Sequence, residues 1–421
     1  MINKDSIALE AINEKKTNLQ HLISIPVLVA ALGYFVDIYD LLLFGIVRIP
    51  SLTSLGLSEI EISTIGASII NWQMAGLILG GILWGVVGDK KGRLSVLFGS
   101  ILTYSIANIA CGFVQDVATY KLLRFIAGIG LAGELGAGIT LVSEILPKKL
   151  RAIGTSIVAS VGLLGAVVAY FTVHLFDWRP AYFVGGGMGI LLLILRIGVF
   201  ESGIFDQIKN QKNIARGDFF MLFKKRERFL RYLRCIGIGI VTWYVIGILA
   251  TFSNELGVKF GVADPVMPGL SIMWCYVGLS IGDLSSGLLS HWLNSRKKAV
   301  LYMILFTLGM TLLFFLIPIK TAVHFYTFIF LLGIGVGYWA MFVTIGAEQF
   351  GTNLRATAAT TIPNMVRGTV IIMTILFTDL KHYMNVRDAA IIIGLICFAI
   401  SIYSIRNISE THDTDLDFIE K

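Results

Sequence analysis

Charge is scarce in this sequence. Asp, Glu, Lys and Arg make up 14% of its 421 residues, against about a quarter in soluble globular chains. An ordinary water-facing surface is therefore excluded for most of its length. Cysteine is rarer still: Cys111, Cys235, Cys275 and Cys397 sit in or beside apolar runs, with neither metal-ligand nor disulfide-framework spacing. The sequence also lacks a metal cluster, a nucleophile–base pairing and a nucleotide loop, which sets enzyme chemistry aside. No polar stretch is long enough for a soluble domain. What the chain has instead is 56% hydrophobic residues, gathered in runs of about 20, the length that carries a helix across a bilayer core.

Twelve such runs are predicted, at roughly 23–47, 62–87, 94–114, 120–146, 152–174, 181–200, 232–254, 267–291, 298–318, 322–347, 356–379 and 387–405. The segment before the first run is polar and mixed in charge. That run is too long for the apolar part of a cleaved signal and reads as a retained membrane helix. The connections are short except 201–231, which is basic and carries an amphipathic patch of Phe219, Phe220, Leu222 and Phe223. It separates an N-terminal six-helix bundle, 1–200, from a C-terminal one, 232–421, and reads as a cytoplasmic linker. With the N-terminus inside, 24 of the 34 Lys and Arg residues fall in inside segments and seven in outside loops. This bias places both termini in the cytoplasm. It also accounts for the net charge of +7 without nucleic acid.

The two halves echo each other. Gly128-Ile129-Gly130, Glu144 and Leu150-Arg151-Ala152 return as Gly333-Ile334-Gly335, Glu348 and Leu354-Arg355-Ala356, with Glu and Arg both offset by 204 residues. Transporters built from repeated bundles hold their substrate near the midplane, between the repeats.

The motifs point to a family. The run Gly85-Val-Val-Gly-Asp89-Lys-Lys-Gly-Arg93 resembles the loop 2–3 signature of the major facilitator superfamily. Arg124-Phe-x-x-Gly128-x-Gly130-x-x-Gly133-Glu134, followed by Ser143-Glu144-x-x-Pro147-x-x-x-Arg151, resembles the fourth-helix motif of its proton-symporter branches. Gly33-Tyr-Phe-Val-Asp37-Ile-Tyr39-Asp40 resembles the first helix of the phosphate:proton and metabolite:proton symporters. Drug antiporters of the superfamily carry Gly-Pro in the fifth helix, whereas this chain reads Ser160-Val-Gly162-Leu-Leu-Gly165 without proline. The resemblance implies the major facilitator fold, all α-helical, with twelve membrane helices in two pseudosymmetric bundles. It further implies that Asp89 and Arg93 latch the halves, and that Glu144, Arg151, Glu348 and Arg355 form an inner gating network.

Charges within the spans each need a reason, because a charge at the bilayer centre costs about 2.5–3.5 kcal/mol on insertion scales. Asp37 and Asp40 share one face of the first span, roughly 3 Å and 7–8 Å past its centre. Glu134 lies at the middle of the fourth span, with Arg124 on the same helix, and Arg367 at the middle of the eleventh. In the resembling symporters a first-helix aspartate faces a fourth-helix arginine, which makes Asp40 and Arg124 the expected proton-coupling pair and Asp37 its rival. A carboxylate beside a movable arginine gains and loses its proton as the pair parts and forms. Glu134 is a further candidate for a proton. Arg367 can grip a carboxylate or phosphate with two parallel hydrogen bonds; a salt bridge to Asp283, Glu348 or Glu134 is the competing reading. Asn364 is three residues earlier on the same face. Asn71 and Gln73, with Trp243, Tyr244, Trp274, Tyr276, Tyr338 and Trp339, are candidate cavity walls.

The reading is a multi-pass transporter of a bacterial inner membrane, importing a small polar, carboxylate-bearing metabolite by proton symport with alternating access. An efflux antiporter is the alternative, as are importers of a polycarboxylate siderophore, an amino acid or phosphate. The expected partners are the substrate and the bilayer, not nucleic acid, and a monomer suffices. No cofactor or metal is expected beyond the proton gradient, although the two aspartates would also suit sodium.

Overall fold

The computed structural model describes residues 23–91, 93–136, 138, 142, 146, 151–201, 219–351, 354–412 and 420. Among the described residues the regular structure is all helical, without a strand. The helices are α1 (Ile25–Ser54), α2 (Glu59–Lys91), α3 (Arg93–Cys111), α4 (Val117–Leu131), α5 (Arg151–Leu163), α6 (Gly165–Phe176) and α7 (Trp178–Glu201). A one-turn α8 (Met221–Lys224) leads into α9 (Arg226–Tyr244), which continues as a π-helical segment, Val245–Ala250. Then come α10 (Ser253–Phe260), α11 (Pro268–Leu293), α12 (Arg296–Leu316), α13 (Ala322–Val336), α14 (Trp339–Glu348), α15 (Arg355–Leu380) and α16 (Val386–Arg406).

Ten helical stretches among the described residues are long and apolar enough to cross a membrane, and Ser95–Cys111 is a shorter apolar helix. Their outward faces are apolar too: Leu79 and Leu83 of α2, Leu191 and Ile194 of α7, and Leu284 and Leu288 of α11 are all exposed. Lipid is the solvent that tolerates such a surface. Short polar residues start several helices by taking up a free backbone N–H. Asp116 accepts from Thr119 at 2.8 Å, Ser295 from Lys298 at 3.1 Å, Thr321 from His324 at 3.3 Å and Asn385 from Asp388 at 3.1 Å.

Four predicted spans are not continuous, the seventh turning at Thr251–Phe252 near its end. The fourth turns at Ala132–Gly133. The fifth is interrupted at Leu164, between α5 and α6, where Gly162 packs on the Tyr34 ring and Gly165 on the Phe35 carbonyl. The tenth is broken at Gly337–Tyr338, between α13 and α14. There Gly337 lies against the backbone of Gly282 and Asp283, too close for any side chain. Asp283 Oδ1 accepts the Ala340 N–H that the break sets free, at 2.9 Å. Sequence periodicity is blind to these breaks because remote helices cause them.

The internal repeat has a structural counterpart in helix contacts. Gly76 and Gly80 of α2 press on the carbonyls of Phe125 and Ile129 in α4, and Gly128 presses back on that of Gln73. In the second half Gly278 and Gly282 of α11 press on the carbonyls of Phe330 and Ile334 in α13, and Gly333 on that of Cys275. Absence of a side chain lets each helix pair approach backbone to backbone. Between the halves, α2 runs along α15, and α5 and α6 along α11. Polar bonds cross this boundary: Thr374 Oγ1 donates to Asn71 Oδ1 at 2.5 Å, Asn364 Nδ2 to the Ala132 carbonyl at 2.9 Å, and Ser280 Oγ to the Ser160 carbonyl at 3.3 Å.

Candidate functional site

Two buried polar clusters lie along α1, the helix that carries Tyr34, Asp37 and Asp40 on one stripe. The first joins the two halves. A carboxylate oxygen of Asp37 lies 3.6 Å from Nη2 of Arg367 on α15, and both side chains are buried. The separation makes an ion pair but is too long for a hydrogen bond, and neither Asp37 oxygen has any other partner among the described residues. Arg367 reaches the Asn364 side-chain oxygen only at 3.4 Å, and its guanidinium sits 5.9 Å from the Trp339 ring centroid. Trp243 meets Trp339 edge to face at 6.4 Å, and its indole N–H is buried without an acceptor among the described residues. Tyr34 and Tyr276 complete the surroundings, both close enough to feel these charges, and Asp283 lies near Tyr34. The sequence left the partner of Arg367 open among Asp283, Glu348 and Glu134; in the structure it is Asp37.

The second cluster belongs to the first half. Arg124 of α4 donates to the Asp40 backbone carbonyl at 2.9 Å, to Asn108 Oδ1 at 2.8 Å and to Gln73 Oε1 at 3.3 Å. The expected pair is thus brought together through the Asp40 main chain, while the buried Asp40 carboxylate has no hydrogen bond among the described residues. Gln73 also donates to the Leu41 carbonyl at 2.8 Å, so its amide ties α1, α2 and α4 together. Glu134 is held by Arg196 of α7 in a two-point ion pair, with one bond at 3.0 Å. Gly33 packs directly over that pair.

The remaining expected wall residues divide. Trp243 and Trp339 line the Arg367 cluster, whereas Asn71 bridges to Thr374. Tyr244 donates to the Ala390 carbonyl at 2.9 Å and Tyr338 to the Ile238 carbonyl at 3.0 Å, so both hydroxyls serve packing within the second half. Trp274 is partly exposed and packs on Phe330. Of the gating residues, Glu144 and the side chains of Asp89, Arg93 and Arg151 lie outside the described residues. Glu348 forms an ion pair with Arg296, and Arg355 opens α15. Tyr34, Asn108 and Arg196 were not expected here. Their signal was available: Tyr34 is one turn before Asp37, and Asn108 and Arg196 are polar residues inside apolar runs. Among the described residues no group of three or more His, Cys, Asp or Glu side chains could hold a metal ion.

The family model described as Major Facilitator Superfamily matches residues 30–374. A Haemophilus influenzae protein named for metabolite transport is 35% identical over 42% of this chain and 44% of its own length. The chain thus spans less than half of that relative. The cis,cis-muconate transport protein of Acinetobacter baylyi is 26% identical over 82% of this chain and 84% of its own. Other relatives are named for transport of niacin, gentisate, benzoate and sialic acid; like the family, they are transporters rather than enzymes. Among solved structures, the proton:xylose symporter XylE bound to a bromodeoxyglucose superposes with a TM-score of 0.70, at 14% identity, over 95% of this chain and 98% of that one. This likeness is one of fold. With the membrane-length helices and the matched span of 345 residues, these similarities make the chain a multi-pass membrane transporter that belongs to the Major Facilitator Superfamily.

Proposed function

We propose that the protein imports a small carboxylate-bearing metabolite by proton symport, with Arg367 as the carboxylate anchor and the α1 acids Asp37 and Asp40 in the proton path. The observation that carries this reading is the buried Arg367 guanidinium between the halves, loosely paired to Asp37 and walled by Trp339 and Trp243. A guanidinium offers a carboxylate two parallel bonds, and aromatic rings beside it favour a flat, conjugated body. The relatives named for muconate, benzoate, niacin and gentisate support the same chemistry.

The rest of the reading follows the topology. Twelve spans form six-helix bundles over 1–200 and 232–421, joined by 201–231, with both termini cytoplasmic in a bacterial inner membrane. The monomer is the working unit and the proton gradient its energy source. Asp89, Arg93, Glu144, Arg151, Glu348 and Arg355 serve the inner gate.

The test is a thermal-shift screen of purified protein against benzoate, nicotinate, gentisate, cis,cis-muconate, phosphate and neutral sugars, repeated with Arg367→Ala. A ligand bound only by the native state raises the melting temperature, by about 2.7 kcal/mol of stabilisation at a hundredfold excess over Kd. One carboxylate class should stabilise the wild type and not the variant. Stabilisation by sugars alone, or an equal response from Arg367→Ala, removes the anchor. In proteoliposomes, acid outside should drive accumulation of that carboxylate; accumulation only when the lumen is the acid side would mean export.

A further inference from the structure

The four buried acids around the centre are not equally provided for. Glu134 has two-point contact with Arg196. Asp283 takes the Ala340 N–H at the start of α14, where the helix dipole favours negative charge. Asp40 has the Arg124 guanidinium beside it, holding its own carbonyl. Among the described residues Asp37 has a single counter-charge, Arg367 at 3.6 Å, and no hydrogen bond to either oxygen. Arg367 in turn makes no bond shorter than 3.4 Å to a side-chain oxygen among the described residues. Each is the other's principal partner and neither is well satisfied.

We infer that Asp37 is an internal stand-in for the substrate: its carboxylate occupies Arg367 in the empty transporter, the substrate carboxylate displaces it, and the displaced Asp37 takes up the co-transported proton. This rests on the proposed role of Arg367. Charge counting forces the last step. Arg367 cannot neutralise two carboxylates, and an uncompensated buried charge costs several kcal/mol, whereas a proton removes it. One proton from the open side converts the Asp37 carboxylate to the acid as the substrate settles on Arg367. No bond of the substrate changes. Release on the far side reverses both events: the substrate leaves, Asp37 gives up its proton and returns to Arg367. Substrate and proton therefore cross together because only one carboxylate can hold the arginine at a time.

The loose geometry has a purpose in this scheme. A tight two-point Asp37–Arg367 pair would resist displacement, and no pair at all would leave Arg367 buried and unpaired. Among the described residues, the charged and ionisable groups facing Asp37 are Arg367 of α15, Tyr34 and Asp40 of its own helix, Glu134 with its partner Arg196, Tyr104 of α3 and Tyr276 of α11, with Asp283 of α11 next to Tyr34. Arg196 is held by Glu134, and Arg124, beside Asp40, by Asn108, Gln73 and the Asp40 carbonyl, which leaves Arg367, among the described residues, as the cation beside Asp37 that is free to exchange partners.

The test uses the full-length protein and whichever of benzoate, nicotinate and cis,cis-muconate it binds most tightly. Wild-type binding should take up about one proton per site and weaken about tenfold per pH unit in the alkaline range, as expected of a binding reaction linked to one proton. Asp37→Asn cannot hold a charge against the substrate. It should bind at least tenfold more tightly at pH 8, independently of pH and without proton uptake, and catalyse exchange but not uphill accumulation. Asp37→Glu lengthens the acid toward Arg367 and should bind more weakly than wild type at pH 8. Opposite shifts in the two variants are the signature of competition, since damage to packing would weaken both. Weaker binding by Asp37→Asn, or proton uptake that survives in it, overturns the proposal while Arg367 stands as the anchor. If Arg367→Ala binds the probe as the wild type does, or no carboxylate binds, the anchor itself falls and the competition with it.

Discussion

Arg124 and Arg196 are both buried arginines of the first half, yet they spend their donors differently. Arg124 divides its bonds among the Asp40 carbonyl, Asn108 and Gln73, fixing α1, α2 and α3 around α4 while sparing the Asp40 carboxylate. Arg196 gives two bonds to Glu134, and that pairing decides what Glu134 can do. A carboxylate held at two points in a dry interior braces α7 against the turn that follows α4. Glu134→Gln should therefore cost about 3–5 kcal/mol, because it leaves a buried guanidinium unpaired, and the melting temperature should fall. Adding Arg196→Gln removes the orphan charge and should restore most of that loss. Uphill uptake should survive in the double variant. A double variant that melts like the wild type but no longer accumulates substrate would make Glu134 a proton carrier after all. The sequence displayed all these charges and their depth in the membrane, but not their partners. Asp37 and Arg367 stand at opposite ends of the chain, and only the packing of α1 against the second half brings them together.

The elements divide into those that hydropathy announces and those that contacts create. Long apolar runs with polar starts, such as Ser295 before α12 or Asn385 before α16, are legible because membrane-length helices must satisfy their backbone within themselves. The break at Gly337–Tyr338 is not legible, since Asp283 on another helix caps the new start. The end of α16 shows the same dependence. Glu410, beyond the membrane helices, folds back on the start of α12 and accepts the backbone N–H groups of Arg296 at 3.1 Å and Lys297 at 3.2 Å. It also accepts the Ser295 hydroxyl. Burial pushes its carboxyl up, but these bonds outweigh burial and hold it below the ordinary glutamate range. A depressed acid stabilises the folded state above its unfolded pKa of about 4.3, and that contribution is lost as pH falls through the lower folded value. Glu410→Gln should accordingly lower the melting temperature at pH 7, and the gap from wild type should close on acidification below pH 4. A gap that persists in acid would show that shape rather than charge fixes this docking.

At the scale of the whole molecule, polar bonds tie the two halves together at the end of the structure carrying the α1–α2 turn. Arg48, buried near the end of α1, donates to the Thr251 carbonyl at 3.0 Å and to Asn254 Oδ1 at 3.2 Å, and lies 4.7 Å from the Phe252 ring centroid. Beside it Ser63 of α2 donates to Glu255 Oε1 at 2.7 Å and accepts from Lys381 Nζ at 3.0 Å, while Lys381 reaches Glu255 at 2.7 Å. Arg48 and Ser63 come from the first half, and Thr251, Asn254, Glu255 and Lys381 from the second. The family motifs in the sequence drew attention to the opposite end, around Asp89 and Arg93. The latch has no motif because its parts are single polar residues at the ends of α1, α2, α10 and α15. With the proposed topology and the proposed role of Arg367, it is the outer gate, which a substrate coming from outside would have to part. The Arg48 bond to Thr251 is buried, and its bond to Asn254 and those of Ser63, Glu255 and Lys381 are part-buried; each is worth about 1 kcal/mol, so together they can hold one state without trapping it. Ser63→Cys with Lys381→Cys, joined by a short thiol crosslinker, should stop uptake, and cleaving the linker should restore it. Binding of a carboxylate from the cytoplasmic side should persist in the crosslinked form, because that path does not pass the latch. Uptake that continues with the linker in place would mean that this end stays closed through the cycle, and the substrate would then need a route to Arg367 that bypasses the contact between α2 and α15.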